Sequence, residues 1–511
     1  MKGEKLIMKN REPVFHFRVT VLIFLILLMT GCAVVLQSVE KDKELGRETA
    51  RQVEIDMGIY SDAAGARYLN RIGKRLVEVN PDQTFDYQFA IIDQYVPNAF
   101  ALPGGYIYVS RGLLTLTNSE EELAGVIGHE IVHVSRRHSA RQMAKARVPT
   151  LFALPGAVVG GVISEDLGNL LMAPATIFGG GYLAFHGRQD EFESYQLGQQ
   201  LAAKAGYDPA ALAPMLARLE AFSEVYAGQQ RIPGFFDTHP STPDRMDRVT
   251  RDAANIDWQR QPGVAKNSAD YLKRLDGLLV GEDPAMGVMQ GQNFLHPELD
   301  LFIKFPREWK SINTRQALFA TAPKEDGLLM MGVAGKGTDP DQAAEQFKNA
   351  LYKKYRTEPN ESKSVKIGDL PGYLLTYTDA GGKEPMHMHF LWIAYRGLIY
   401  RFIGLAPERY RPVLRETALS FRPLSAKEKG SIRETRLRVA TARSGETLQR
   451  LSKRTGNVWS LKITAVVNGL DKSQMLKKGQ LSRLQSRSHI REAKVNHHYK
   501  VGDEKMNVAF L

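Results

Sequence analysis

Hydrophobic and polar positions change their period several times along this 511-residue chain, and each change marks a candidate unit. Lys2, Lys5, Lys9, Arg11 and Arg18 precede a strongly apolar run over 19–29, which closes on Thr30-Gly31-Cys32. That run is shorter than the roughly 20 residues a membrane-spanning helix needs, but it matches the core of a secretory signal. Within 40–80, Tyr68, Leu69, Ile72, Leu76 and Val79 recur at helical spacing, and Asn80-Pro81 ends the helix. Phe85, Tyr87, Phe89 and Ile91 then alternate as in a strand, and 99–102 and 106–109 flank Pro103-Gly104-Gly105 as arms of a tight hairpin. One arm is a candidate for accepting a substrate backbone as an added strand, beside its plain role in the sheet. Ser119 followed by Glu120, Glu121 and Glu122 reads as an N-cap with a capping-box glutamate, and Leu123, Val126, Ile127 and Val134 form the apolar stripe of that helix.

Further on, 148–163 and 170–185 are apolar but too short and too broken by Pro or Gly to cross a membrane. They read as core, or as an exposed greasy lid or docking surface. A polar stretch over 252–289 holds one helical run (Tyr271, Leu272, Leu275, Leu278, Leu279). Beyond Phe294, strand-like segments such as HMHFLWIAYRGLIYRFIGL alternate with helices near 340–355 and 406–420, an α+β pattern.

The chemistry concentrates in His129-Glu130-Ile131-Val132-His133. Residues four apart on a helix leave one face a turn apart, so both imidazoles can grip one Zn²⁺ while Glu130 acts on water at the metal. Both histidines lie off the apolar stripe, where core packing gives no reason for them. Cys32 is the only cysteine, which excludes an internal disulfide and a cysteine-based zinc site.

The runs NAFALPGGYIYVSRGLL and SEEELAGVIGHEIVHVSRRH resemble the core of the HtpX/BepA-like zinc metallopeptidases, a family that includes the CaaX prenyl proteases. The resemblance is dense over 97–138 and continues to about residue 249. It implies a gluzincin site with Zn²⁺ as cofactor, His129 and His133 as metal ligands, and Glu130 as catalytic base. It adds Glu191, the first glutamate of RQDEFES, as the third ligand, and His239 and Arg245 of THPSTPDR as further catalytic candidates. His239 would plug the metal or donate to the transition state, with a structural loop histidine as the alternative; Arg245 would brace the site. His138 and His186 are not expected to be ligands. The chain departs from the family at Tyr195, where an aspartate is expected to hydrogen-bond a metal histidine; losing such a group typically costs about 10–100-fold in metal affinity or activity.

The small residues before Cys32 resemble a bacterial lipoprotein processing site, with an uncleaved anchor as the alternative. Either form places the bulk of the chain on the periplasmic side of a bacterial envelope, at the surface of the outer or inner membrane, and the lipoprotein form is anchored there through lipidated Cys32. Residues 430–511 carry 17 Lys+Arg against 6 Asp+Glu, hence +11 of the chain's +12. There, Gly445-Glu446-Thr447-Leu448 and Asn468-Gly469-Leu470 resemble a LysM-like module, which implies peptidoglycan binding; the charge also suits anionic envelope surfaces. Nucleic acid is excluded as a partner, because an exported chain does not meet it and no basic motif is interleaved with aromatics.

The expected fold is α+β multidomain. A signal peptide (1–31) precedes a mainly helical zincin peptidase domain with a small sheet (32–255), a linker (256–290), a PsbP/Mog1-like α+β domain (291–426), a LysM-like module (430–486) and a tail (487–511). The expected function is a zinc-dependent metalloendopeptidase acting on misfolded or unassembled envelope proteins. The alternatives are a weakened peptidase-fold chaperone or scaffold in outer-membrane assembly, and a peptidoglycan-binding protein.

Overall fold

The apolar spacing of 40–80 resolves into two helices, α1 (Val39–Asp56) and α2 (Ala63–Glu78), separated at Gly58, whose φ is +74°. This computed structural model describes residues 38–145, 186–226, 234–240, 244–265, 267–315, 317–380 and 384–489. The leader with Cys32 and the apolar runs 148–163 and 170–185 lie outside the described residues. No described helix is long and apolar enough to cross a membrane.

Asp62 caps α2 by accepting from the amides of Ala64 and Gly65, and α2 buries Leu69, Ile72 and Leu76. Strands β1 (Gln88–Ile92), β2 (Ala99–Leu102) and β3 (Tyr106–Ser110) form a sheet in the order β1-β3-β2. β2 and β3 are the expected hairpin, with Ala99 opposite Val109 and Gly104 at φ +79° in the turn. A short α3 (Arg111–Leu116) leads to α4 (Glu120–Ser135), which carries the two histidines. Ser119 caps α4 by accepting from Glu122 N. Glu122, however, does not close a capping box on Ser119: its carboxylate accepts from Asn118 N at 2.5 Å and pairs with Arg218 at 2.8 Å.

After α5 (His138–Lys145) the described chain resumes before α6 (Arg188–Lys204), followed by α7 (Leu212–Val225), α8 (Phe235–Thr238) and α9 (Arg245–Ala254). α4 and α6 cross at a glycine pair. A Cβ on Gly128 would stand 2.9 Å from Gly198 O, and one on Gly198 would stand 2.8 Å from His129 N. Only glycines permit that approach, and it sets the ligand helices against each other.

The segment expected as a linker is part of the same core. α10 (Ser268–Arg274) and the residues after it bury Tyr271, Leu272, Leu275, Leu278 and Val280 in the cluster that holds Leu69, Ile127 and Leu216. The following unit has three layers. A three-stranded sheet of β4 (Val288–Gln290), β5 (Asn293–His296) and β6 (Leu301–Lys304) precedes an antiparallel seven-stranded sheet. The latter comprises β7 (Lys310–Asn313), β8 (Ala317–Thr321), β9 (Leu328–Lys336), β10 (Glu361–Ile367), β11 (Leu370–Asp379), β12 (Met386–Tyr395) and β13 (Leu398–Pro407), in the order β10-β11-β12-β13-β9-β8-β7. α11 (Pro340–Tyr355) packs Phe347 and Leu351 on one face, and α12 (Arg411–Leu419) packs Leu414 on the other. The helix expected near 406–420 starts later than expected, because Ala406 and Pro407 still belong to β13.

After α13 (Ala426–Ser431), the last unit is β14 (Arg433–Thr441), α14 (Leu448–Thr455), α15 (Leu461–Asn468) and β15 (Leu481–His489), with β14 and β15 paired antiparallel. β15 carries pairing through His489, so 487–489 are strand and not tail. This unit sits on the core that holds Leu69, Ile127 and Leu216 rather than apart from it: Leu437 and Val467 share that apolar cluster. Arg483, fully buried, donates to Thr115 O at 2.7 Å, Thr117 O at 2.6 Å, Asn118 Oδ1 and Val467 O, just ahead of the α4 cap. Part of the basic C-terminal charge is therefore internal. Arg454 is paired with Glu446, and Arg436 with Glu434.

Candidate metal centre

Every residue of α4 from Glu122 to Val134 is buried, so the expected one-sided stripe is an all-round buried helix, with its histidine face covered by α6 and α8. His129 Nε2 and His133 Nε2 lie 2.9 Å apart. The first turn of α6 sets Glu191 beside them, Oε1 at 3.3 Å from His133 Nε2 and Oε2 at 3.6 Å from His129 Nε2. α8 ends on His239, whose Nδ1 is 2.9 Å from Glu191 Oε1 and 3.3 Å from His129 Nε2. The four residues form one group of potential metal donors, all buried.

Their spacing fits a small tetrahedral ion: bonds of about 2.0–2.1 Å imply donors roughly 3.3 Å apart. The protonation states fit too. Burial, reinforced by the neighbouring imidazoles, pushes His129 and His133 well below 6.5, which leaves neutral rings with free lone pairs. For Glu191, burial pulls upward, but His239 and His129 outweigh it and hold the carboxyl well below 4.5. Its Oε2 has no hydrogen-bond partner among the described residues. A buried, ionised carboxylate among three imidazoles is a cation site by composition.

Glu130 is fully buried, and neither of its carboxylate oxygens has a hydrogen-bond partner among the described residues. Burial raises it to about 7, with His239 pulling against that rise. His239 Nε2 faces Glu130 Oε1 at 3.4 Å without a hydrogen bond. Burial alone would lower His239, but Glu191 and Glu130 overcome it and raise it to about 9. His239 completes the group of four potential donors, and its ring must lose a proton before Nδ1 can serve as one.

Arg245 is buried with its guanidinium over the Phe236 ring at 4.5 Å. Tyr195 stacks on His129, ring centroids 4.4 Å apart. Its hydroxyl lies near Glu191 and Arg245 without hydrogen-bond geometry to either, and burial keeps it a neutral phenol, well above 10. The Tyr195 hydroxyl therefore does not serve His129, whose Nδ1 has no hydrogen-bond partner among the described residues.

The two histidines not expected as ligands stand next to one. His186 stacks on His133 at 3.8 Å. His138 Nδ1 is 3.0 Å from His133 Nδ1, and its Nε2 is 3.2 Å from Glu193 Oε2. The interval from His133 to His138 is not a helical repeat, so no periodicity signalled this contact.

The hairpin arm that reaches the site is β2, the edge strand. Its Ala101 carbonyl accepts from Ser139 Oγ at 3.0 Å, and Ala99 faces His239. Phe235 stacks on His239 at 4.4 Å and also walls an apolar cleft of about 330 Å³ with Pro97, Leu219, Phe222 and Trp459.

Residues 63–253 match the model of peptidase family M48. The chain is 28% identical over 247 residues to the beta-barrel assembly-enhancing protease of Escherichia coli (strain K12), covering 46% of this chain and 47% of that one. It is 29% identical over 240 residues to that of Yersinia pestis, covering 46% and 48%. It is 28% identical over 236 residues to the mitochondrial metalloendopeptidase OMA1 of Schizosaccharomyces pombe, covering 46% and 65%. The chain thus spans about half the length of the bacterial relatives. Among solved structures, PsbP of Synechocystis sp. PCC 6803 is 14% identical with a TM-score of 0.23, covering 28% of this chain and 98% of that one; no argument rests on it.

Proposed function

We infer, from the peptidase family M48 domain at residues 63–253, that the chain is a zinc metalloendopeptidase of the bacterial cell envelope that hydrolyses misfolded or unassembled envelope proteins. One observation carries the reading: Glu130, buried and without a hydrogen-bond partner among the described residues, adjoins a donor set of His129, His133 and Glu191. When bound, the ion supplies Lewis acidity, polarising the peptide carbonyl and acidifying water. The chain supplies the proton handling. Glu130 takes a proton from the attacking water and returns it to the leaving amine. Arg245 lies over the Phe236 ring, and the apolar cleft beside Phe235 suits hydrophobic side chains that folded proteins hide.

The relatives' names point to beta-barrel assembly as the substrate setting. Anchoring through lipidated Cys32 and glycan or anionic-surface binding by the LysM-like unit complete the proposal, supported by the leader pattern and the basic charge of 430–511. A second reading, a peptidase fold that binds more than it cleaves, draws on His239 standing within the donor set. Zinc-dependent cleavage of an unfolded protein by the native chain, lost in Glu130→Gln with zinc retained, is the expected result. No cleavage by the native chain, but cleavage by His239→Ala, would favour the second reading.

A further inference from the structure

Each imidazole that binds a metal through one nitrogen has a second nitrogen to satisfy, and the partner of that nitrogen fixes the tautomer and the ring plane. The two histidines of α4 differ in this respect. Among the described residues His129 Nδ1 has no hydrogen-bond partner, and its ring stacks on Tyr195. His133 Nδ1 lies 3.0 Å from His138 Nδ1.

The tautomers of that pair follow from ligation. With Nε2 turned to the metal site, His133 carries its proton on Nδ1 and donates it to the lone pair on His138 Nδ1. His138 then holds its own proton on Nε2, which points at Glu193 Oε2 at 3.2 Å and Asp190 Oδ1 at 3.6 Å. Those carboxylates are themselves held, Glu193 by Arg136 at 3.1 Å and Asp190 by Arg141 at 3.0 Å. Ser194 Oγ sits 3.2 Å from His138 Nδ1, a second donor to the same lone pair.

The backbone is built for this contact. Between α4 and α5, Arg137 adopts φ +55°, and its side chain is clamped by buried Asp42 at 2.6 Å. That reversal folds His138 back under His133. The next residue ties the turn to β2 through Ser139 Oγ and Ala101 O. His138 is fully buried, so it is placed by the fold and not by solvent.

We propose that His138, oriented by Glu193 and Asp190, is the positioning residue of this metal centre, accepting the Nδ1 proton of His133 so that His133 Nε2 faces the ion. The proposal rests on the metal-site reading above and deepens it. A carboxylate-to-histidine-to-histidine chain, from α6 through the start of α5 to α4, does for His133 what Tyr195 cannot do for His129. The centre is therefore asymmetric: one ligand histidine is fixed by hydrogen bonding, the other by packing.

The test uses the native chain with His138→Ala, His138→Gln and Glu193→Gln. Readouts are the Zn²⁺ dissociation constant by competition with a chromophoric chelator, the visible spectrum of the Co²⁺-loaded protein, and the melting temperature without metal. His138→Ala should weaken Zn²⁺ about 10–100-fold and alter the Co²⁺ bands. His138→Gln, whose amide oxygen can accept from His133 while its NH₂ donates to Glu193, should recover most of that loss, and Glu193→Gln should fall between the native chain and the alanine variant. Native-like Zn²⁺ affinity and Co²⁺ spectrum in His138→Ala would overturn the proposal. So would a glutamine variant as weak as the alanine one, with both metal-free melting temperatures lowered alike, since that pattern marks plain packing. A native chain that binds zinc but cleaves nothing sinks the peptidase reading alone; one that binds no zinc sinks both.

Discussion

Replacing Glu130 by Gln separates catalysis from metal binding more cleanly than any other change. The side chain keeps its size, and the donor set of His129, His133, Glu191 and His239 is untouched. A positioned general base contributes typically 10²–10⁴-fold, so turnover should fall by that factor, about 3–5 kcal/mol of transition-state stabilisation. The same residue predicts a stability change of opposite sign. Burial raises its carboxyl from 4.5 to about 7. Below 4.5 the group is neutral in both states and costs nothing. Between 4.5 and 7 the unfolded chain loses its proton while the folded one keeps it, so stability falls as pH rises. Above 7 the full penalty is present, about 3 kcal/mol at 1.36 kcal/mol per pH unit. Metal-free Glu130→Gln should therefore match the native chain at pH 4.5 and exceed it by up to that amount at pH 8, measured by urea denaturation. Zinc-dependent cleavage of an unfolded protein supplies the activity arm. Retention of more than about a tenth of the activity would remove Glu130 from the mechanism, and loss of zinc would place it in the donor set. A pH-independent stability difference would refute the burial argument.

His239, held at about 9 in the metal-free chain, must give up a proton before its Nδ1 can bind an ion. Zinc affinity should therefore climb between pH 7 and 9 by up to about tenfold per pH unit, and His239→Ala should flatten that slope while binding zinc less tightly; equal slopes in chelator competition would exclude the ligand. Gly198→Ala forces a Cβ to 2.8 Å from His129 N, so α6 must retreat and take Glu191 with it. A loss of about 1–3 kcal/mol in urea denaturation, with weaker zinc binding, is expected from overpacking; a stabilised variant would refute the close approach. Arg483→Met leaves the carbonyls of Thr115, Thr117 and Val467 without their buried donor, for a loss of about 2–4 kcal/mol by denaturation. A change below about 0.5 kcal/mol would mean that water replaces the guanidinium.

What was legible in the sequence was whatever local chemistry dictates. The HExxH pair needs only a helix to bring two imidazoles to one face, and Ser119 marks where that helix begins. The Pro103-Gly104-Gly105 turn fixed the hairpin, because its glycines take positive φ. Glu191 was found by resemblance, since no rule of spacing links 133 to 191. Tyr195 was read as a missing partner, and its stacking on His129 could not be read from composition. His138 stayed hidden because its role depends on one left-handed residue, Arg137, whose conformation is stabilised by Asp42 from a distant helix.

Domain boundaries illustrate the limit of reading composition alone. Polarity over 252–289 marked a linker with one helical run, and the apolar residues of that run enter the core that holds Leu69, Ile127 and Leu216, while Leu279 bridges to Arg436 of β14. Charge behaves likewise. Net +11 in 430–511 counts every arginine as surface, whereas Arg483 spends its donors on carbonyls at the end of α3 and the approach to α4. A guanidinium so placed fixes the C-terminal unit against the element that presents His129 and His133. That unit is then a structural neighbour of the metal centre, and whatever surface it offers outward is left to the cations that have no such partner.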